Sequence, residues 1–219
     1  MQGYVKFVDV TKCIGCRACM VACKNWNNLD IAMEEFNGTV QSHKNVTANT
    51  WNVVTFKEIE DETGKLQWLF RHAACLHCNP ADCLTSCKFN AIYYSTSGAV
   101  VINEDKCIGC SLCVRKCKFN IMQIETSFNE LGKKVRKAKK CTLCDERISV
   151  GMRPACATVC TMDAIAYEKE EIVLEEINKR LLEVKEKYPN ATIYQPPVEG
   201  TTKCIYLLAE HPSHYDLPI

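Results

Sequence analysis

KCIGCRACMVACKNW, residues 12–26, places Cys13, Cys16, Cys19 and Cys23 within eleven residues. A nearly identical phrase, KCIGCSLCVRKCKFN, returns at residues 106–120 with Cys107, Cys110, Cys113 and Cys117. Both read C-x2-C-x2-C-x3-C. Two further groups vary the theme. Cys75, Cys78, Cys83 and Cys87 read C-x2-C-x4-C-x3-C, and Cys141, Cys144, Cys156 and Cys160 read C-x2-C-x11-C-x3-C. Of the seventeen cysteines in the chain only Cys204 is left over.

The tightest spacing is that of [4Fe–4S] ligation in bacterial ferredoxins. Three cysteines two residues apart can wrap a short loop around one cubane and hold three of its irons. Gly15 and Gly109 sit just before the second cysteine of their loops, where the lack of a Cβ eases a tight turn. The fourth cysteine follows on a helical turn and, in two-cluster ferredoxins, ligates the other cluster. Under that rule Cys87 serves the third group and Cys117 the second, while Cys23 serves the fourth and Cys160 the first. All sixteen are expected iron ligands of four [4Fe–4S] clusters. Cys204, within KCIYLLA, reads as a buried inert thiol. Two other chemistries compete. Disulfides are disfavoured in a chain that is neither short nor visibly secreted. Zinc suits the widely split Cys141–Cys160 group best, since zinc knuckles are pairs of separated ligands.

The 219 residues carry a net charge of +1, a balance that points to neither nucleic acid nor an anionic membrane surface. The first residues lack an apolar signal core, and no stretch approaches the roughly 20 apolar residues of a membrane span. A cytoplasmic protein is expected, with a periplasmic one, exported on a signal-bearing partner, as the alternative. No nucleotide loop or flavin signature is present. His77, inside CLHC, reads as lining a cluster; His72 has no partner motif.

Strand-like segments flank the cysteine groups, so each group looks like half of a two-cluster module. The fold class expected is α+β: two nested ferredoxin modules with an inserted β-hairpin and a C-terminal helix–strand extension. Groups two and three, joined by a short turn, form an inner module over 72–128. Groups one and four form an outer module from 1–35 plus 129–168. The insert spans 36–71, with a hairpin turning at Asp61 to Gly64. Residues 169–219 hold a helix with Ile172, Val173, Ile177, Leu181 and Val184 near one face, then a strand and an irregular tail wrapping a surface. The basic run 130–140 reads as a solvated face, with a partner contact as the alternative.

Four groups in this order and with these spacings resemble the four-cluster electron-transfer subunit of the molybdenum/tungsten oxidoreductase family, which includes formate dehydrogenases. IYQPPVEGTTKCIYLL and YDLP, within residues 193–218, look most like formate dehydrogenase beta subunits. The resemblance implies a large molybdenum/tungsten-bis-pterin catalytic subunit as partner, and a further redox subunit or soluble carrier as acceptor. It implies that this chain holds no catalytic residue; the family's membrane-bound members append a transmembrane helix to this subunit, and no direct membrane span is expected here. It also places the cluster built on Cys13, Cys16 and Cys19 nearest the large subunit. The chain departs from the family where proline often follows the fourth cysteine: here stand Lys24, Lys88, Lys118 and Thr161. The other functions in view are the same role in a thiosulfate, sulfur or other reductase or a tungsten aldehyde oxidoreductase, a free-standing polyferredoxin, and a structural zinc protein.

Overall fold

YVKFVD at residues 4–9 is built of β-branched and aromatic residues around one lysine, and it forms β1 (Tyr4–Asp9). Strand pleating sends Val5 and Phe7 to one side and Tyr4, Lys6 and Val8 to the other. The structure, a computed structural model, describes residues 3–31, 33–36, 38–60, 64–195 and 200–219.

After β1 a 3-10 turn (Val10–Lys12) leads into the first cysteine loop and α1 (Ala18–Trp26). A long hairpin follows, β2 (Asn52–Glu60) with β3 (Leu66–Ala74), then β4 (Cys78–Asn79), α2 (Asp82–Thr85), β5 (Ile92–Tyr94) and β6 (Val100–Ile102). Next come α3 (Leu112–Lys116), β7 (Gln123–Phe128), β8 (Lys134–Lys139), α4 (Asp145–Ser149) and α5 (Ala155–Thr158). The chain closes with β9 (Ile165–Lys169), α6 (Glu170–Lys185), β10 (Thr192–Tyr194), β11 (Thr201–Thr202), β12 (Cys204–Leu208) and a second 3-10 turn (Pro212–Tyr215).

The largest sheet has the order β10-β12-β1-β9. β12 runs parallel to β1, pairing Lys6 with Cys204, while β9 and β10 pair antiparallel. One face of this sheet is covered by α6, where Val173, Ile177 and Val184 bury against Val5, Ile205 and Leu207. Each such side chain contributes roughly 1.5–3 kcal/mol. Ile172 faces away from that cluster and is exposed, because it falls one position off the buried stripe. The other face, with Val8, Ile165, Tyr206 and Leu208, closes over the cysteine loops.

One clamp ties α6 to the start of the first loop. The Arg180 guanidinium donates to the buried Asp9 carboxylate at 3.0 Å, and Asp9 also accepts from the Thr11 amide and hydroxyl. A second Arg180 nitrogen reaches the Thr11 hydroxyl at 3.2 Å.

One expectation changes in part. The basic run 130–140 is not simply a solvated face. Its residues 134–139 are strand β8, paired with β7, and Lys140 is buried with its ammonium bonded to backbone carbonyls of Val100 and Cys141. The C-terminal tail is irregular apart from the 3-10 turn and packs on the body of the protein: Tyr215 and Leu217 are buried, and the Tyr194 hydroxyl donates to the Pro218 carbonyl at 2.8 Å. The β2–β3 hairpin pairs from Asn52–Ala74 to Glu60–Leu66, but Asp61, Glu62 and Thr63 of its expected turn lie outside the described residues. No helix among the described residues is long and apolar enough to cross a membrane.

Candidate iron–sulfur centres

Four cavities open inside the chain, and each is lined by four cysteines. Cys13, Cys16 and Cys19 share one with Cys160. Cys75, Cys78 and Cys83 share a second with Cys117. Cys107, Cys110 and Cys113 share a third with Cys87. Cys141, Cys144 and Cys156 share the fourth with Cys23. In every case three thiols come from one sequence group and one from another. Cys204 lines none of these four; it is buried on β12 opposite Lys6.

The loops reach this shape by a shared backbone device. The residue just before the second cysteine is left-handed in all four: Gly15 (φ 70°), His77 (52°), Gly109 (68°) and Leu143 (61°). Left-handed residues among right-handed ones curl successive amides into a concavity suited to an anion. At three loops that same residue turns its N–H back on the first cysteine. His77 donates to Cys75 Sγ at 3.4 Å, Leu143 to Cys141 Sγ at 3.3 Å, and the Gly15 amide bonds to Cys13. Cys107 is served instead by the Ala138 amide of β8, at 3.3 Å.

A second device follows the fourth cysteine, and the sequence reading missed it. Asn90, Asn120 and Asp163, each three residues on, adopt φ of 50°, 54° and 48°. Asn and Asp tolerate this region better than other side chains. The turn points the next amide at the sulfur: Ala91 donates to Cys87 Sγ and Ile121 to Cys117 Sγ, both at 3.4 Å. The signal was in view as FNAI, FNIM and MDAI. Cys23 differs. It sits inside α1, and its sulfur accepts from the Asn27 side chain at 3.5 Å.

The thiols resist ionising alone. Burial, then the neighbouring cysteines, pushes Cys78 and Cys83 up to about 12. Cys144 is likewise raised to about 12 and Cys113 to about 11. Four thiolates in one such cavity need a cation among them, and metal ligation is coupled to their deprotonation. Among the described residues no three His, Cys, Asp or Glu side chains converge on a single-ion site. The all-thiol donor set fits a thiophilic group such as an iron–sulfur cluster.

Two histidines are buried near the cysteine loops, but His77, expected to line a cluster, lines none of the four cavities and reaches Cys75 only through its backbone amide. His77 is buried; its Nδ1 accepts from the Val100 amide at 3.0 Å, which leaves the hydrogen on Nε2. His72 is buried and lines both the Cys13 and the Cys23 cavities. Burial, followed by nearby cations, holds both well below the usual imidazole range, so both are neutral. Lys6 also lines the Cys23 cavity. Burial pulls its pKa down, but Cys204, Cys141, Tyr206 and Cys156 outweigh that and raise it.

The 4Fe-4S dicluster domain family matches twice, over residues 12–91 and 66–170. The nitrate-inducible formate dehydrogenase iron-sulfur subunit of Escherichia coli is 36% identical over 214 residues, covering 96% of this chain and 70% of that protein. The chain belongs to the formate dehydrogenase iron–sulfur subunit family. The family's member from Haemophilus influenzae is 37% identical, over 96% of this chain and 67% of its own. Formate dehydrogenase 2 subunit beta (cytochrome c-553) of Nitratidesulfovibrio vulgaris matches nearly end to end, 29% identical over 95% and 94% of the two chains. The matches establish [4Fe–4S] domains in a mixed α and β fold, with an electron-transfer role.

Proposed function

We propose that this chain carries electrons through four [4Fe–4S] clusters between a molybdenum/tungsten-pterin subunit that oxidises formate and a further redox partner. The observation that carries the reading is the lining of four cavities by four cysteines each. The clusters, when bound, supply one-electron redox chemistry. The protein's part is to supply thiolates, to aim backbone N–H groups at their sulfurs, and to exclude water. N–H···S bonds and burial are the levers by which a chain sets such potentials.

The ligand sets proposed are Cys13, Cys16, Cys19 with Cys160; Cys75, Cys78, Cys83 with Cys117; Cys107, Cys110, Cys113 with Cys87; and Cys141, Cys144, Cys156 with Cys23. They imply the nested organisation: 1–35 with 129–168 around an inner module at 72–128, the hairpin insert at 36–71, and the extension at 169–219. The antiparallel pairs β1–β9 and β5–β6 support it, because each joins the two halves of one proposed module. Cys16 and Cys110 are the exposed ligands, beside exposed Ile14 and Ile108, which suits electron exchange with partners at those two clusters.

Anaerobic metal analysis tests the count: sixteen iron and sixteen sulfide per chain are expected, at four of each per cubane. Twelve of each, or one zinc, would refute it. The purified chain should leave formate untouched, and formate should reduce its clusters once the catalytic subunit is added.

A further inference from the structure

Lys6 is fully buried, and its ammonium has no hydrogen-bond partner among the described residues. It stands at the centre of β1 on the side facing the cysteine loops, and it lines the cavity of Cys23, Cys141, Cys144 and Cys156. No carboxylate among the described residues lies within ion-pair distance of it. Asp9, the buried carboxylate on the same strand, points to the opposite face and is held by Arg180. A buried ammonium without a counter-charge is among the costliest arrangements a protein can hold.

Lys140 is the informative contrast. It too is buried and lines the cavity of Cys75, Cys78, Cys83 and Cys117. Its ammonium, however, donates to the Val100 and Cys141 carbonyls, so backbone dipoles already satisfy it. Lys6 has nothing comparable; its cavity offers four thiols and, beside them, neutral groups such as the Asn52 amide and the His72 ring, none of which bonds to it among the described residues or carries a counter-charge.

We infer that Lys6 is the counter-charge of the cluster held by Cys23, Cys141, Cys144 and Cys156, and that it raises that cluster's reduction potential. The inference rests on the ligand set proposed above. A cubane with four thiolates is an anion, and each added electron makes it more negative. A fixed positive charge in a buried site therefore favours the reduced state. Screening that weakens exposed charges is largely absent there. Lys6 touches no substrate; it is a positioning charge, and its effect is read as a potential.

The test is a potentiometric titration of the assembled complex by electron paramagnetic resonance, comparing wild type, Lys6→Met and Lys6→Arg. In Lys6→Met one cluster should shift its reduced-to-oxidised equilibrium at least tenfold toward oxidised, which is 59 mV for one electron. The other clusters should hold their potentials. The shifted signal should be the one altered by Cys144→Ser. Lys6→Arg should keep the wild-type potential. If Lys6→Met arrives lacking one cluster, Lys6→Arg decides: a restored cluster upholds the role of the charge, and a cluster still missing overturns it. A fully loaded Lys6→Met whose potentials all stay within threefold of wild type overturns it as well. If Cys144→Ser alters no signal, the ligand set itself has failed, and the inference falls with it.

Discussion

Arg180→Ala should loosen the protein by removing one guanidinium from a carboxylate that water barely reaches. Asp9 is 1% exposed and Arg180 33%, at 3.0 Å. Breaking a buried pair by deleting one partner costs about 3–5 kcal/mol, because the remaining charge is stranded. Two features reduce that here. Thr11 still donates twice to Asp9, and the deleted side chain leaves a path for water. About 2–3 kcal/mol is the resulting expectation, as hydrogen bonds to charged groups are worth roughly 1.5–3 kcal/mol each. Unfolding of a cluster protein is not a clean two-state equilibrium, so the readout is a rate. Loss of the visible iron–sulfur absorbance in denaturant, followed anaerobically, should be about 30- to 150-fold faster if the contact is broken in the limiting step. Asp9→Asn removes the charge that would be stranded, so adding Arg180→Ala to it should cost much less. Rates within twofold of wild type for Arg180→Ala, or equal effects in both backgrounds, would refute the clamp.

Cys23→Ala should disturb the resonance assigned to Cys141, Cys144 and Cys156 rather than the one assigned to Cys13, Cys16 and Cys19; the opposite pattern rules out the exchanged ligands. Gly109→Ala and Gly132→Ala share φ of 68°, so both carry the left-handed strain of about 1–2 kcal/mol. Only at Gly109 would the new Cβ come within 2.5 Å of the Arg136 carbonyl oxygen, while nothing lies within 4 Å at Gly132. Gly109→Ala should therefore lose iron and stability well beyond Gly132→Ala, as metal analysis and thermal bleaching would record, and equal effects would discard the packing of β8 on that loop.

The cysteine loops were legible because ligation chemistry fixes spacing along the chain, and the spacing survives in one dimension. The sheet was not. β1 and β12 are each short apolar runs, and nothing local in YVKFVD or KCIYLL says that they pair in parallel. Lys6 was visible as a lysine in an apolar strand, but its burial follows only from which face β9 and β12 leave toward the cysteines. The basic run at 130–140 is a solvated face over much of its length, and its last residue departs from that for a related reason. A count of charges reports composition, whereas Lys140, just past the end of β8, is held inward by two carbonyls. Asn90, Asn120 and Asp163 were readable as a repeat; what was lacking was the link between a left-handed turn and an N–H aimed at sulfur.

The parallel pairing of β1 with β12 also sets an order of events during synthesis. Tyr4–Asp9 leaves the ribosome before both of its sheet partners, residues 165–169 and 204–208. Chains acquire structure from the N-terminus as they emerge, and distant pairings wait for their partners. Cys13, Cys16, Cys19 and Cys23 therefore emerge well before the strands that will cover them. The β5–β6 pairing, by contrast, is complete within a dozen residues of chain. The cavity lined by Cys13, Cys16 and Cys19 is completed only once Cys160 and β9 have been made.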